Sequence, residues 1–102
     1  MRNIHKQIWF THHELLELIA IVQAIKCAAI KQCNKAEVKL MNSLLCTLLD
    51  FDIDCRGTVV VLDSMTRYNL WNLVEQYINF CAETRQHIEY ALAVTISTKL
   101  SG

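Results

Sequence analysis

Residues 11–33 read THHELLELIAIVQAIKCAAIKQC, and this stretch decides the fold. Thr11 is followed three residues later by Glu14, the spacing of a capping box, in which each side chain accepts a hydrogen bond from the other residue's backbone amide. The sequence therefore predicts that a first helix begins at Thr11. Apolar residues then cover an arc wider than the single stripe of a surface helix, so we expect this helix to be covered on two sides.

The rest of the chain contains almost nothing that would interrupt a helix. Its 102 residues include no proline and two glycines, of which only Gly57 is internal. Proline removes a backbone donor and clashes in a helix interior, and glycine costs about 1 kcal/mol there. The composition therefore predicts a protein that is almost entirely helical.

A second cap predicts the first break. Asn34 and Glu37 repeat the capping spacing. We therefore expect the first helix to end near Cys33 and a second helix to run from about Lys35 to Leu49. The alternative is one unbroken helix over residues 12–49, because neither glycine nor proline separates the two parts.

The evident loop lies at residues 50–58 and holds three aspartates together with Gly57, the one residue suited to a positive φ. The segment Thr58–Leu62 is β-branched and typical of a strand. A strand without a partner would, however, leave its backbone groups unpaired. We therefore expect a buried helical turn or an extended lead-in at this segment.

The C-terminal part is predicted to be helical as well. Asp63 or Ser64 is suited to cap a third helix, and apolar residues recur at alternating spacings of four and three over residues 70–95. Two interpretations stay open. One is a single long rod over about residues 65–99, and the other is a break near residues 82–84, where polar side chains cluster.

Together these elements predict an all-α fold, a small up-down bundle of about four helices. We expect one domain over residues 1–102, with residues 1–10 as an N-terminal arm. The hydrophobic share of 53% is high for a chain this small, which has little interior in which to bury apolar residues. Because two-fold homodimers are the commonest oligomers, we expect a second copy to complete the bundle.

Charge and composition narrow the range of partners and locations. Ten lysines and arginines balance ten aspartates and glutamates, which removes the overall attraction for nucleic acid or acidic membranes. Uncharged stretches are about half of the roughly 20 residues that span a bilayer, and the N-terminus lacks a signal-peptide core. We therefore expect protein partners, no membrane contact and a cytoplasmic location.

The five cysteines include no C-x-x-C pair and are expected to be reduced core residues.

Three aspartates, Asp50, Asp52 and Asp54, have the alternate spacing that opens a helix-loop-helix calcium site. Such a loop needs glycine at its sixth position and glutamate at its twelfth, where this chain has Cys55 and Val61. We expect a solvated acidic loop and no cofactor, and cation binding stays open. Because the sequence offers no nucleophile elbow and no glycine-rich phosphate cradle, we do not expect an enzyme.

A lysine stripe supports one functional hypothesis. Lys31, Lys35 and Lys39 fall four residues apart and would line one face if the first helix continued into the second. Such a stripe can contact phosphates. The alternative function is therefore a small helical regulator that contacts nucleic acid.

Four aromatic residues support the leading hypothesis. Trp9 and Phe10 precede the first cap and can fold back on the first helix or contact a partner, whereas Trp71 and Tyr77 fit the C-terminal helical pattern. Large aromatic residues dominate both cores and interfaces. We therefore expect a small non-enzymatic protein-protein interaction module, an adaptor, inhibitor or regulatory subunit that acts through apolar helix faces.

Overall fold

The structure, a computed structural model, describes residues 6–51, 57–84 and 87–101. Most of them are helical, and the prediction of four helices is confirmed. The elements in chain order are β1 (Lys6–Phe10), α1 (His12–Lys31), α2 (Lys35–Leu49), β2 (Thr58–Leu62), α3 (Ser64–Thr84) and α4 (His87–Ser101).

The N-terminus of α1 is held by the capping box that the sequence predicts. The hydroxyl of Thr11 accepts a hydrogen bond from the amide of Glu14 at 3.2 Å, and the Glu14 carboxylate accepts one from the amide of Thr11 at 2.8 Å. These backbone donors have no earlier carbonyl within the helix to bind. The cap therefore fixes where α1 begins.

A Schellman motif ends α1. The amide of Asn34 donates to the carbonyl of Ala29 at 3.0 Å, and the amide of Cys33 donates to the carbonyl of Ile30 at 3.1 Å. Cys33 has a φ of 56°, the left-handed conformation that glycine usually supplies at this position. The Asn34 side chain then caps α2. The predicted break near Cys33 is confirmed, and the alternative of one unbroken helix is wrong.

The segment Thr58–Leu62 is a strand, so the expectation of a helical turn or lead-in is wrong. Its partner is the N-terminal arm: Lys6–Phe10 pairs with it in antiparallel register, with Trp9 opposite Val59. The unpaired backbone groups that argued against a strand are therefore satisfied by a segment about 50 residues away in sequence. The all-α prediction is corrected to a mostly helical fold with one two-stranded sheet among the described residues.

Gly57 allows the chain to enter β2 close to the end of β1. Its φ is +128°, and a Cβ at this position would lie 2.4 Å from the carbonyl oxygen of Phe10 and 2.9 Å from the ring of Trp9. Neither the conformation nor the space suits another residue. The sequence correctly singled out this glycine as the residue suited to a positive φ.

The C-terminal part consists of two helices that lie side by side. Asp63 caps α3 by accepting a hydrogen bond from the amide of Thr66 at 2.7 Å. The hydroxyl of Ser97 on α4 donates to the carboxylate of Glu75 on α3, which shows that the chain reverses between the two helices. The interpretation of one long rod is therefore wrong.

The core has α1 at its centre. This helix packs against α2 on one side and against α3 and α4 on the other, as its wide apolar arc predicts. The inner face of the sheet contributes Ile8, Phe10, Val60 and Leu62 to the same core. No helix within the three described ranges is long and apolar enough to cross a membrane.

The cysteines differ from expectation. Of those that the structure describes, only Cys81 is buried, while Cys27, Cys33 and Cys46 are exposed; none of these four forms a disulfide with another described cysteine. The expectation of core cysteines is therefore wrong for three of them, because each lies on an outer helix face or at a helix end. Cys55 lies outside the described residues.

Replacing Gly57 with alanine is expected to lower the free energy of unfolding by at least about 1 kcal/mol. The added methyl group would overlap the carbonyl of Phe10, and alanine rarely adopts a φ of +128°. Thermal unfolding followed by circular dichroism measures the effect, expected as a fall in Tm of at least about 4 °C. An unchanged Tm would contradict this account of the turn.

Replacing Cys33 with glycine is expected to raise the free energy of unfolding by about 0.5 to 1 kcal/mol, because glycine adopts the left-handed conformation without the clash that a Cβ causes. The matched control is Cys27→Gly, the same substitution at an exposed position in the interior of α1. That variant is expected to lose stability, since glycine is the poorer helix former. Both are measured by urea unfolding under reducing conditions. A loss of stability in Cys33→Gly would overturn the prediction.

Candidate protein-binding surface

An apolar groove of about 370 Å³ lies on the surface between α1 and α3. It forms because the outward side of α1 carries alanines, which do not fill the space beside the neighbouring helix. The residues that line it are Ala24, Ile25, Ala28, Gln76, Tyr77 and Phe80. We call this set of residues the α1–α3 groove.

Two aromatic residues form the α3 wall of the groove. The rings of Tyr77 and Phe80 stack with centroids 6.2 Å apart. Tyr77 is half-buried against the core, whereas half of the Phe80 side-chain surface is exposed to water. Burial raises the pKa of the Tyr77 phenol, and the neighbouring Cys81 and Glu17 raise it further. The phenol therefore stays neutral, and the groove wall keeps its apolar character at all ordinary pH values.

The two N-terminal aromatic candidates point to opposite faces of β1. Phe10 is fully buried in the core, while Trp9 is 50% exposed. Successive side chains of a strand alternate between its faces, so one strand cannot present both rings to the same partner. Trp9 is available for contact with a partner, and Phe10 is a packing residue.

Trp9 belongs to a second exposed apolar surface. It lies opposite Val59 on the outer face of the sheet, and Val61 is exposed on the same strand as Val59. The ammonium group of Lys99 lies 5.0 Å from the centroid of the Trp9 ring, a cation-π contact that covers part of the ring. This surface is therefore partly covered by a charged group, whereas no charged residue is among the described residues that line the α1–α3 groove.

Trp71 lies at a third place. It is half-buried near the start of α3, with its ring centroid 6.3 Å from that of Tyr68, and it lines a more polar groove with Arg67 and Leu100. The structure therefore separates the four aromatic candidates among the sheet, the core, this polar groove and the α1–α3 groove. Only Tyr77 lies in the last of these.

Sequence reasoning did not select Phe80, Ala24 or Ala28. Two signals could have found them. Phe80 follows Tyr77 by three residues and so shares a side of α3, and the two alanines are four apart on one side of α1. What the sequence does not show is that these two sides are adjacent in the fold.

The lysine stripe is divided by the helix break. Lys31 is the last residue of α1, while Lys35 and Lys39 lie in the first two turns of α2. The three side chains are exposed but do not share one helix face. Lys35 and Lys39 both line an open groove of about 430 Å³, together with Ile30 and Val38.

The acidic loop is described only in part. Asp50 is the exposed C-cap residue of α2, and Asp52 and Asp54 lie outside the described residues. Among the residues that the structure does describe, no group of three or more histidine, cysteine, aspartate or glutamate side chains is arranged to hold a metal ion.

Comparison with known proteins gives no match, whether to family models, to curated proteins or to solved structures. The function is therefore inferred from the surfaces of this chain alone.

A partly buried ion pair lies beside the Trp9 surface. The Glu14 carboxylate, 4% exposed, binds the Lys99 ammonium group at 2.6 Å. Burial opposes ionisation of this carboxyl group, but the hydrogen bonds from Lys99 and from the amide of Thr11 outweigh it. The pKa of Glu14 is therefore lowered below its usual value of 4.5.

Because the folded-state pKa is lowered, ionised Glu14 stabilises the fold above pH 4.5, and this contribution is lost as the pH falls through the folded-state pKa. Replacing Glu14 with glutamine is expected to lower the free energy of unfolding at pH 7 by about 2 kcal/mol and to flatten its dependence on pH below 4.5. Urea unfolding at a series of pH values measures both.

The matched control is Glu37→Gln, which changes the equivalent capping residue of α2. Glu37 accepts a hydrogen bond from the exposed Asn34 side chain and binds no lysine among the described residues. We expect a loss below about 0.5 kcal/mol for this control. Equal losses in the two variants would show that the Glu14–Lys99 pair adds nothing to the cap.

Proposed function

We propose that this chain is a small non-enzymatic protein that works by binding another protein, as an adaptor, inhibitor or regulatory subunit. The proposal rests on the exposed α1–α3 groove, in which the half-exposed side chain of Phe80 lies with Ala24 and Ala28. The proposal includes the cytoplasmic location, the lack of membrane contact and the lack of a cofactor that the sequence leads us to expect.

The groove differs from single exposed apolar residues, which are normal on protein surfaces. Ile88, for example, is 83% exposed on α4 but lines none of the larger apolar grooves. In the α1–α3 groove, two stacked aromatic rings lie beside small side chains, so a partner side chain can enter and contact both walls. Aromatic residues in such pockets supply most of the binding free energy in many interfaces.

A second candidate function is contact with nucleic acid through Lys31, Lys35 and Lys39. What favours it is that all three are exposed around the turn between α1 and α2, with Lys35 and Lys39 on one groove. The chain's formal net charge of zero argues against it, because non-specific binding to nucleic acid depends on an excess of positive charge. We therefore place this function second.

One affinity experiment separates the two. The full chain is immobilised and exposed to a lysate of its host, with and without nuclease. We expect the natural chain to retain a protein whether or not nuclease is present. We expect the Phe80→Ser variant to lose that protein, because the substitution removes the aromatic ring from the groove wall.

The matched control is Ile88→Ser, which removes an exposed apolar side chain from α4 and is expected to retain the same protein. Retained material that disappears with nuclease, and with the double change Lys35→Glu and Lys39→Glu, would favour the second function instead. Retention that is equal in all variants would count against both.

A further inference from the structure

We propose that the occupant of the α1–α3 groove is a second copy of this chain, docked about a two-fold axis that runs along the groove. The inference rests on the proposed function, since it names the partner of the same surface. In this arrangement α1 of each copy lies against α3 of the other copy, and the interface is formed by the same residues on both sides.

The directions of the helices make this arrangement possible. Lys99 near the end of α4 binds Glu14 near the start of α1, so α1 and α4 are antiparallel. The Ser97–Glu75 hydrogen bond links α4 to α3, which are consecutive helices folded back on one another and are therefore antiparallel as well. It follows that α1 and α3 run in the same direction on the two sides of the groove.

The two walls of the groove are complementary in size. The α1 wall presents Ala24 and Ala28, and the α3 wall presents Gln76 and Phe80 at the same spacing of four residues. Because a two-fold axis along the groove exchanges the walls, it places Phe80 of each copy over the alanines of the other. The interface then contains two equivalent contacts, in each of which a large side chain of one copy packs against the small side chains of the other. This resembles the knobs-into-holes packing of paired helices.

One positive and one negative side chain add charge complementarity to the complementarity in size. Lys31 follows Ala28 by three residues on α1, and Glu83 follows Phe80 by three residues on α3, so each charge continues the side of its helix that faces the groove. Both are exposed, and neither forms an ion pair with any residue that the structure describes.

The charges also select between two possible symmetry axes. With the axis along the groove, Lys31 of each copy lies opposite Glu83 of the other, because α1 and α3 are parallel. An axis across the groove would instead place α1 against α1 in antiparallel fashion and would separate these charges. Complementary charge therefore favours the first arrangement, as does the difference in side-chain size.

The first test is the oligomeric state of the full chain, measured by sedimentation between about 1 and 100 µM under reducing conditions. We expect a reversible dimer for the natural sequence and at least about tenfold weaker dimerisation for Phe80→Ser. The matched control is Tyr68→Ser, which removes another exposed aromatic residue of α3, outside the groove. This control is expected to dimerise within about twofold of the natural sequence. Circular dichroism confirms that both variants are folded.

The second test uses a mixture of two charge-reversed chains. Lys31→Glu sets two glutamates against each other in its own dimer, and Glu83→Lys sets two lysines against each other. In the mixed dimer, both contacts become opposite in charge. We therefore expect the mixed dimer to be at least about fivefold tighter than either pure variant dimer, with the preference reduced at high salt.

Two results would overturn the inference. One is a chain that stays monomeric at 100 µM, and the other is a dimer that tolerates Phe80→Ser and shows no preference in the mixture. If the chain is monomeric but still loses a captured protein on Phe80→Ser, the second copy is excluded and the proposed function stands. If it is monomeric and captures nothing through Phe80, both fail.

Discussion

The carboxylate of Glu14 fixes the arrangement on which the rest of the structure depends. It binds the amide of Thr11 at the start of α1 and the ammonium group of Lys99 near the end of α4, and that ammonium group also lies 5.0 Å and 5.7 Å from the ring centroids of Trp9 and Phe10. A carboxylate buried to this extent is stable only when several donors compensate for its lost hydration. The pair therefore links the sheet, the first helix and the last helix, and it joins the end of α4 to the start of α1.

The central position of α1 follows from this constraint and from its wide apolar arc. One side of the helix is covered by α2 and the other by α3 and α4, with Leu15, Leu18 and Val22 fully buried between them. The sector that carries Ala24 and Ala28 is left exposed beside α3. The exposed groove lies where α1, which forms a helical hairpin with α2, meets α3 of the second hairpin, α3–α4.

The sequence predicts the local features of this fold well and the distant pairings poorly. Caps at Thr11 and Asn34 depend on residues three positions apart, so they are readable from the chain alone. The strand at Thr58–Leu62 depends on a partner at Lys6–Phe10, and no local pattern reveals that partner. The same limit applies to the candidate site: strand alternation buries Phe10, and the α1–α3 groove exists only because two separate helix faces become neighbours in the fold.

The apolar share of 53% has a different meaning once the positions are known. Much of the outer side of α1 consists of alanine and cysteine, at Ala20, Ala24, Cys27 and Ala28, and these side chains raise the apolar composition while exposing little apolar area. Exposing apolar area to water costs about 25 cal/mol of free energy per Å², so an exposed methyl group costs far less than the exposed ring of Phe80. Small residues also leave room for another helix to approach closely. Leucines at the same positions would favour association but would not require the two surfaces to be complementary in shape. The apolar composition therefore has two parts: small residues that expose little apolar area, and large side chains such as Leu16, Ile30 and Phe80 that remain exposed.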